Sequence, residues 1–131
     1  MLGLDTNVLV RFLVRDHEAQ FERARRLIKR EVGAGEAALI SLVVLLETEW
    51  VLRSRYGMPK SELMRAISGL LDATELEFED EAAVEEALYV WKESATEFTD
   101  CLIAAHHRRL GCRATATFDA RAVRLPGFVA A

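Results

Sequence analysis

Apolar residues follow two alternating patterns along the chain, short continuous runs and longer stretches with helical spacing. The short runs predict strands at residues 2–4, 37–40, 76–78 and 114–118. The longer stretches predict helices at residues 6–14, 17–32, 41–55, 60–72, 81–93 and 99–110, with a further short helix opening at Asp119. Because strands alternate with helices, the pattern predicts an α/β protein with a three-layer α/β/α fold and a central, mainly parallel sheet.

Length and composition favour one domain over residues 1–131, because a 131-residue chain that is 51% hydrophobic can bury one core but not two. No apolar run approaches the roughly 20 residues of a membrane span, and the first residues lack the features of an export signal. We therefore expect a cytoplasmic protein with no membrane partner. Its two cysteines, Cys101 and Cys112, are expected to be reduced thiols that fill small spaces in the core.

The net charge of −4 is unfavourable for a nucleic-acid binder, but the charges are unevenly distributed. Residues 72–100 carry eleven acidic groups and one basic group, whereas residues 101–131 carry one acidic group and five basic ones. Of the 17 basic residues, 14 are arginine, which suits phosphate contacts, although a GC-rich genome would give the same bias. The overall charge therefore does not exclude a nucleic-acid substrate.

Two aspartates stand where a predicted strand meets a predicted helix. Asp5 follows the strand at 2–4, and Asp119 follows the strand at 114–118. In a parallel sheet, such positions border the crevice at the carboxyl ends of the strands, where α/β proteins bind ligands. Either aspartate could instead cap the helix that follows it.

Two glutamates lie on the helix predicted at 41–55. Glu47 has apolar residues three and four positions away on both sides, so it is expected on an apolar face, where a carboxylate needs a counter-charge or a cation. Glu49 has Arg53 four residues later, and a solvated salt bridge explains it. We therefore assign Glu47 to the site and treat Glu49 as structural.

Asp100 lies in the first turn of the helix at 99–110, where compensation of the helix dipole is the alternative explanation. Together Asp5, Glu47, Asp100 and Asp119 would converge on one crevice and make it strongly negative. Such a pocket requires divalent cations, and all-oxygen ligation favours Mg²⁺ or Mn²⁺. Three short polar residues are suited to hydrogen bonds behind these ligands, or to ordinary turns: Thr6, Asn7 and Thr117.

Four segments in this order resemble the motifs of PIN-domain ribonucleases. The segments are residues 4–9 (LDTNVL), 45–52 (LLETEWVL), 98–104 (FTDCLIA) and 116–119 (ATFD). The resemblance covers nearly the whole chain and is closest to the VapC-type toxins of bacterial toxin–antitoxin pairs. It implies a PIN-like α/β/α fold and a metal-dependent endoribonuclease whose four acids hold one or two Mg²⁺ or Mn²⁺ ions. It also implies a homodimer and an antitoxin partner whose tail blocks the site.

The expected mechanism is attack on an RNA phosphodiester by metal-activated water, which leaves a 5′-phosphate and a 3′-hydroxyl. Asp5, Asp100 and Asp119 would bind the metal, with Glu47 binding directly or through water. Arginines near the first helix and near the carboxyl terminus could hold the RNA backbone: Arg11, Arg15, Arg108 and Arg121.

Three other interpretations remain open at this stage. His106 and His107 could act as acid and base in a metal-independent nuclease, although adjacent helical residues do not share a face, and they and His17 are readily explained as helix-surface or helix-start residues. Asp5 could be the covalent nucleophile of a phosphatase, but such enzymes usually carry a second aspartate where this chain has Asn7. The fold could also serve as a non-catalytic binding module.

Overall fold

The computed structural model describes every residue, Met1–Ala131. The chain forms two compact units, Met1–Glu79 and Asp80–Ala131. The expectation of one domain over residues 1–131 stays a prediction.

The first unit contains three strands and four helices. In chain order these elements are β1 (Leu2–Gly3), α1 (Thr6–Leu13), α2 (Glu18–Gly33), β2 (Ala38–Ile40), α3 (Leu42–Ser54), α4 (Lys60–Asp72) and β3 (Leu76–Phe78). The strands form a parallel sheet with β2 in the centre, in which Leu2 lies opposite Ala38 and Ala38 lies opposite Leu76. Two helices follow β1 and two follow β2, so each parallel connection is a helical crossover.

Helical spacing decides which faces of these helices are buried. In α2, Ala24 and Ile28 are buried four residues apart, while the arginines between them are exposed. In α4, Leu63, Ile67 and Leu70 form the buried stripe. The helix starts are also encoded locally. His17 Nδ1 accepts a hydrogen bond from the Gln20 amide at 3.2 Å, which confirms it as a helix-start residue.

The second unit contains two α-helices, a short 3₁₀ helix and a parallel pair of strands. The elements are α5 (Glu81–Lys92), α6 (Phe98–Arg109), β4 (Thr115–Thr117), the 3₁₀ helix Ala122–Arg124 and β5 (Phe128–Ala130). Trp91 of α5 packs against Phe98 of α6, with ring centroids 5.2 Å apart. Ala116 of β4 lies opposite Val129 of β5.

The predicted helices and strands are confirmed to within two residues at almost every end, and every strand pair is parallel. Two differences concern the carboxyl terminus. The short helix begins at Ala122 rather than at Asp119, and β5 was not predicted. β5 is fixed by its parallel pairing with β4. No helix is both long and apolar enough to cross a bilayer.

Candidate active site

Asp5 occupies the N-cap position of α1, but its side chain does not cap the helix. Its backbone is extended there, with φ −79° and ψ 159°. Only its carbonyl oxygen takes part in the helical hydrogen bonds, accepting one from the Leu9 amide at 3.1 Å. The exposed carboxylate of Asp5 makes no hydrogen bond or ion pair. The capping alternative is therefore wrong for Asp5, and its carboxylate is available to a ligand.

Thr6 and Asn7 do not support the Asp5 carboxylate through hydrogen bonds. Thr6 is buried, with 5% of its surface exposed, at the first position of α1. Asn7 is exposed and forms part of a cleft beside α2. The hydrogen-bonding role expected of these two residues stays a prediction.

Glu79 lies at the same sheet edge as Asp5, because both follow parallel strands of the first unit. Glu79 was not a predicted site residue, because it is one of several acids in an acidic stretch. Its Oε1 accepts a hydrogen bond from the Leu42 amide at 2.9 Å, at the start of α3. Glu79 therefore helps to begin a helix, in the manner of a capping residue.

The expected environments of Glu47 and Glu49 are reversed in the structure. Glu47 is exposed, and two of the apolar residues around it are exposed too, Val43 at 77% and Trp50 at 50%. Leu45 and Leu52 belong to the buried stripe of α3, and Glu49 falls on that stripe. The prediction that the Glu47 carboxylate lies on a buried apolar face is wrong, whereas the assignment of Glu47 to the site stays a prediction.

Glu49 is buried, with 1% of its side chain exposed. Its Oε1 accepts a hydrogen bond from Arg53 Nε at 3.0 Å, so the expected salt bridge is confirmed, but as a buried and not a solvated one. Its Oε2 and the neighbouring Thr48 Oγ1 are buried without a protein partner. A half-satisfied carboxylate is costly to bury, so the Arg53 contact is needed to hold Glu49 in place.

Asp100 lies in the first turn of α6 and makes no hydrogen bond or ion pair. Partial burial raises the pKa of the Asp100 carboxyl above its ordinary value, and the nearby acids Asp119 and Glu97 raise it further. Glu97 stands at the N-cap of α6 and also makes no side-chain capping bond. Glu97 was not a predicted site residue, although it directly precedes α6 and lies three residues before Asp100.

Asp119 follows β4, and one of its two oxygens stabilises the turn. Its Oδ1 accepts from the Arg121 amide at 2.8 Å, and its own amide donates to Thr117 Oγ1 at 3.0 Å. Thr117 thus fixes the backbone that carries the Asp119 carboxylate, which is the ordinary turn chemistry left open above. The Oδ2 atom of Asp119 has no protein hydrogen bond.

Histidines of α6 are bound to neighbours within the second unit. His106 Nδ1 lies 3.3 Å from Asp80 Oδ2, and His107 Nδ1 lies 2.8 Å from Thr115 Oγ1. Both rings are partly buried and contact different elements, Asp80 before α5 and Thr115 in β4. This arrangement supports the partly packed surface role and gives no acid–base pair.

The two cysteines are not disulfide-bonded, as predicted. Cys101 is buried in α6, which confirms it as a small core residue. Cys112 is exposed, so the prediction that it fills the core is wrong. It follows Gly111, whose φ of 91° turns the chain away from the end of α6.

The four arginines proposed for RNA contact differ in how they are held. Arg15 pairs with Glu18 at 3.2 Å and stacks on a phenylalanine ring, and Arg108 pairs with Glu86. Arg11 is fixed by three side-chain hydrogen bonds, whereas Arg121 makes no side-chain ion pair. Internal pairing therefore accounts for Arg15 and Arg108 without a ligand, and also for Arg11, because one of its three bonds is a salt bridge to Asp16 at 3.3 Å.

No group of three or more His, Cys, Asp or Glu side chains is gathered closely enough to hold one metal ion together. The individual donors nevertheless fit a hard divalent cation in kind. Asp5 and Asp100 have carboxylates without partners, and Asp119 keeps one oxygen free. Burial and then the neighbouring acids Asp119 and Glu97 raise the pKa of Asp100, and a bound cation would offset the repulsion among these acids.

Residues 3–127 match the PIN domain family. The chain therefore belongs to the PIN domain family, which bears out the predicted α/β/α PIN-like fold. PIN domains are typically nucleases that act on nucleic acids and generally use divalent metal ions. No curated protein is similar enough to be matched to the chain.

Proposed function

We propose that this chain is a Mg²⁺- or Mn²⁺-dependent endoribonuclease. The observation that carries the proposal is the Asp100 carboxylate, which has no protein partner and whose pKa is raised by burial and by its acidic neighbours. A partly buried carboxylate with a perturbed pKa beside other acids is a candidate ligand site. Membership of the PIN family supplies the class of reaction.

In this proposal Asp5, Glu47, Asp100 and Asp119 would be the metal ligands, with Glu47 binding directly or through water. Mg²⁺ or Mn²⁺, when bound, supplies a Lewis acid that lowers the pKa of water and offsets charge on the phosphate. The chain's own contribution is to supply charged oxygens, and Thr117 holds the turn that presents Asp119.

We also propose that the protein is the toxin of a type II toxin–antitoxin pair, acting in the cytoplasm as a homodimer. The resemblance to VapC-type toxins supports the antitoxin partner. Exposed Val43 and Trp50 lie seven residues apart, on one face of α3, and support association with another protein chain as parts of an exposed apolar face. The buried stripe of α4, by contrast, is fully used in the core.

The test is cleavage of a mixed pool of structured RNAs by the purified protein, with Mg²⁺, with Mn²⁺ and with EDTA. Asp5→Asn and Asp119→Asn, one from each unit, are assayed in parallel, and product ends are mapped. We expect metal-dependent cutting that leaves 5′-phosphates and falls at least about a hundredfold in both variants, because second-shell changes alone can cost that much. Cutting that survives EDTA and both substitutions would contradict the proposal.

A further inference from the structure

A cleft of about 470 Å³ opens between α1 and α2 in the first unit. Four of its nine lining residues are arginines and none is acidic, although the chain as a whole has a net charge of −4. The four are Arg11, Arg23, Arg26 and Arg30. Such a concentration of positive charge in one cleft attracts a polyanion.

The three α2 arginines that face this cleft have no ion-pair partner in the protein. Arg25, which does not line the cleft, pairs with Glu22 at 3.0 Å. Arg23, Arg26 and Arg30 are exposed and form no hydrogen bond or salt bridge within the protein. Their guanidinium groups are therefore free to bind a ligand without breaking an existing pair.

Arg11 completes the opposite wall and is held in position. It donates to Gln20 Oε1 at 2.6 Å, to Tyr56 Oη at 3.0 Å and to Asp16 Oδ1 at 3.3 Å. These bonds fix the side chain along the wall formed by α1. The cleft thus combines one guanidinium group held by its neighbours with three that have no protein partner, and those three can bind a chain of anions.

The spacing of the α2 arginines suits a repeating anion. Positions 23, 26 and 30 are three and four residues apart, so they share one helix face and follow one another at roughly 4.5 and 6 Å along the axis. Guanidinium groups bind phosphate oxygens in a bidentate manner. A single phosphate would occupy one of these groups, whereas a phosphodiester chain can occupy the whole row.

The cleft also leads to a proposed metal ligand. Asn7 and Arg11 line it from one face of α1, and Asp5 precedes that helix by one residue. A polyanion on the row would therefore pass close to Asp5. We infer that this cleft binds the phosphodiester backbone of single-stranded RNA and leads the strand towards Asp5. The inference rests on the proposed function, and the continuity with Asp5 favours RNA over an acidic peptide.

The experiment measures binding of fluorescently labelled polyuridylate by anisotropy over a range of salt concentrations. The protein carries Asp100→Asn, so that cleavage does not interfere. Arg23→Ala, Arg26→Ala and Arg30→Ala are combined in one variant. The matched control combines Arg25→Ala, Lys29→Ala and Arg65→Ala, which remove the same charge from exposed positions outside the cleft. Alanine is the best helix former, so both variants should fold.

We expect the cleft variant to bind polyuridylate roughly ten- to a hundredfold more weakly at about 0.1 M salt, with a salt slope smaller by about two, since each phosphate contact to a single strand contributes roughly 0.7. The control should change severalfold at most. Equal weakening in both variants would overturn the inference. So would unchanged RNA affinity together with arginine-dependent binding of polyglutamate, which would assign the cleft to an acidic peptide.

Cleavage by the wild-type protein, measured separately, distinguishes the two proposals. Metal-dependent cutting with RNA binding that ignores the cleft arginines would leave the nuclease assignment standing and remove the inference. Cleft-dependent RNA binding without any metal-dependent cutting would support the binding surface and contradict the nuclease assignment.

Discussion

Asp80 and Asp100 stand at the starts of consecutive helices in the second unit, and their surroundings are opposite. Burial would raise the pKa of the Asp80 carboxyl, but hydrogen bonds from His106, Arg109 and the Ala83 amide hold that pKa below its ordinary value. Asp100 has no such donors, and its pKa is raised. The comparison separates a carboxylate that stabilises the fold from one that is left for a ligand.

This difference could not be found from residue type or position alone. Both aspartates are helix-start acids in the same acidic stretch, and both would compensate a helix dipole. What distinguishes them is where basic side chains from α6 lie: Arg109 and His106 reach Asp80, and none reaches Asp100. Asp80 is therefore held by neighbouring side chains, whereas the Asp100 carboxylate has no protein partner.

Removal of each carboxylate should affect metal binding very differently. We expect Asp100→Asn to weaken Mn²⁺ binding by about a hundredfold or more, because it removes a charged ligand, and Asp80→Asn to leave it within about twofold. Titration calorimetry of both variants and the wild type measures this. Equal loss in the two variants would show that general charge, rather than a ligand site, attracts the ion.

The glutamates of α3 extend the comparison to the first unit. We expect Glu47→Gln, an exposed change, to reduce RNA cleavage about tenfold or more and to alter the free energy of unfolding by less than about 0.5 kcal/mol. Glu49→Gln should retain cleavage within about twofold, since its carboxylate is bound to Arg53. Initial cleavage rates at saturating Mg²⁺ measure both, and the reverse order of losses would move the site assignment to Glu49.

Stability should show the opposite order from metal binding. Asp80→Asn loses charge-assisted hydrogen bonds of a side chain only 12% exposed, so we expect about 1–2 kcal/mol of destabilisation at pH 7. Asp100→Asn should be at least as stable as the wild type without metal, because it removes repulsion. Urea unfolding in EDTA measures both, and an unaltered Asp80 variant would contradict the structural role.

The two variants should differ from the wild type in opposite directions in stability at pH 7, and both differences should disappear in acid. The depressed pKa of Asp80 contributes stability above its unfolded value, near 3.9, and this is lost as the pH falls through the folded pKa. Asp100 has a raised pKa in the folded protein, so ionisation of its carboxyl lowers the free energy of unfolding. This loss of stability is absent at low pH and appears as the pH rises through the folded pKa. Both variants should therefore approach the wild type well below pH 4.

Local patterns were sufficient to predict most of the fold. Apolar periodicity and caps specify the helices because they depend on neighbouring residues. Asp5, Asp100 and Asp119 were assigned to the site from strand-to-helix or helix-start positions and Glu47 from an apolar helix face, and this assignment stays a prediction. The environment of Glu47 was predicted wrongly because α3 is apolar on more than one face. The stripe that includes Leu45 and Leu52 is buried, while Val43 and Trp50 are not, and only packing decides between them.

Side-chain pairing was beyond prediction for the same reason. The three bonds of Arg11 join residues up to 45 positions apart, and Glu79 reaches Leu42 across 37 positions. Such contacts depend on tertiary structure, so the sequence could suggest Arg11 and Arg15 as RNA contacts but could not separate held from free arginines. The exposed position of Cys112 was missed likewise, since it depends on the turn at Gly111.

The most direct test of the account is RNA cleavage by Asp100→Asn and Asp80→Asn side by side, with Mg²⁺ and with EDTA. The account predicts that the wild type and Asp80→Asn cut RNA only with the metal, below the unfolding temperature of each, and that Asp100→Asn is at least about a hundredfold slower. If Asp100→Asn instead cuts at the wild-type rate, the unpaired carboxylate of α6 is not part of the active site.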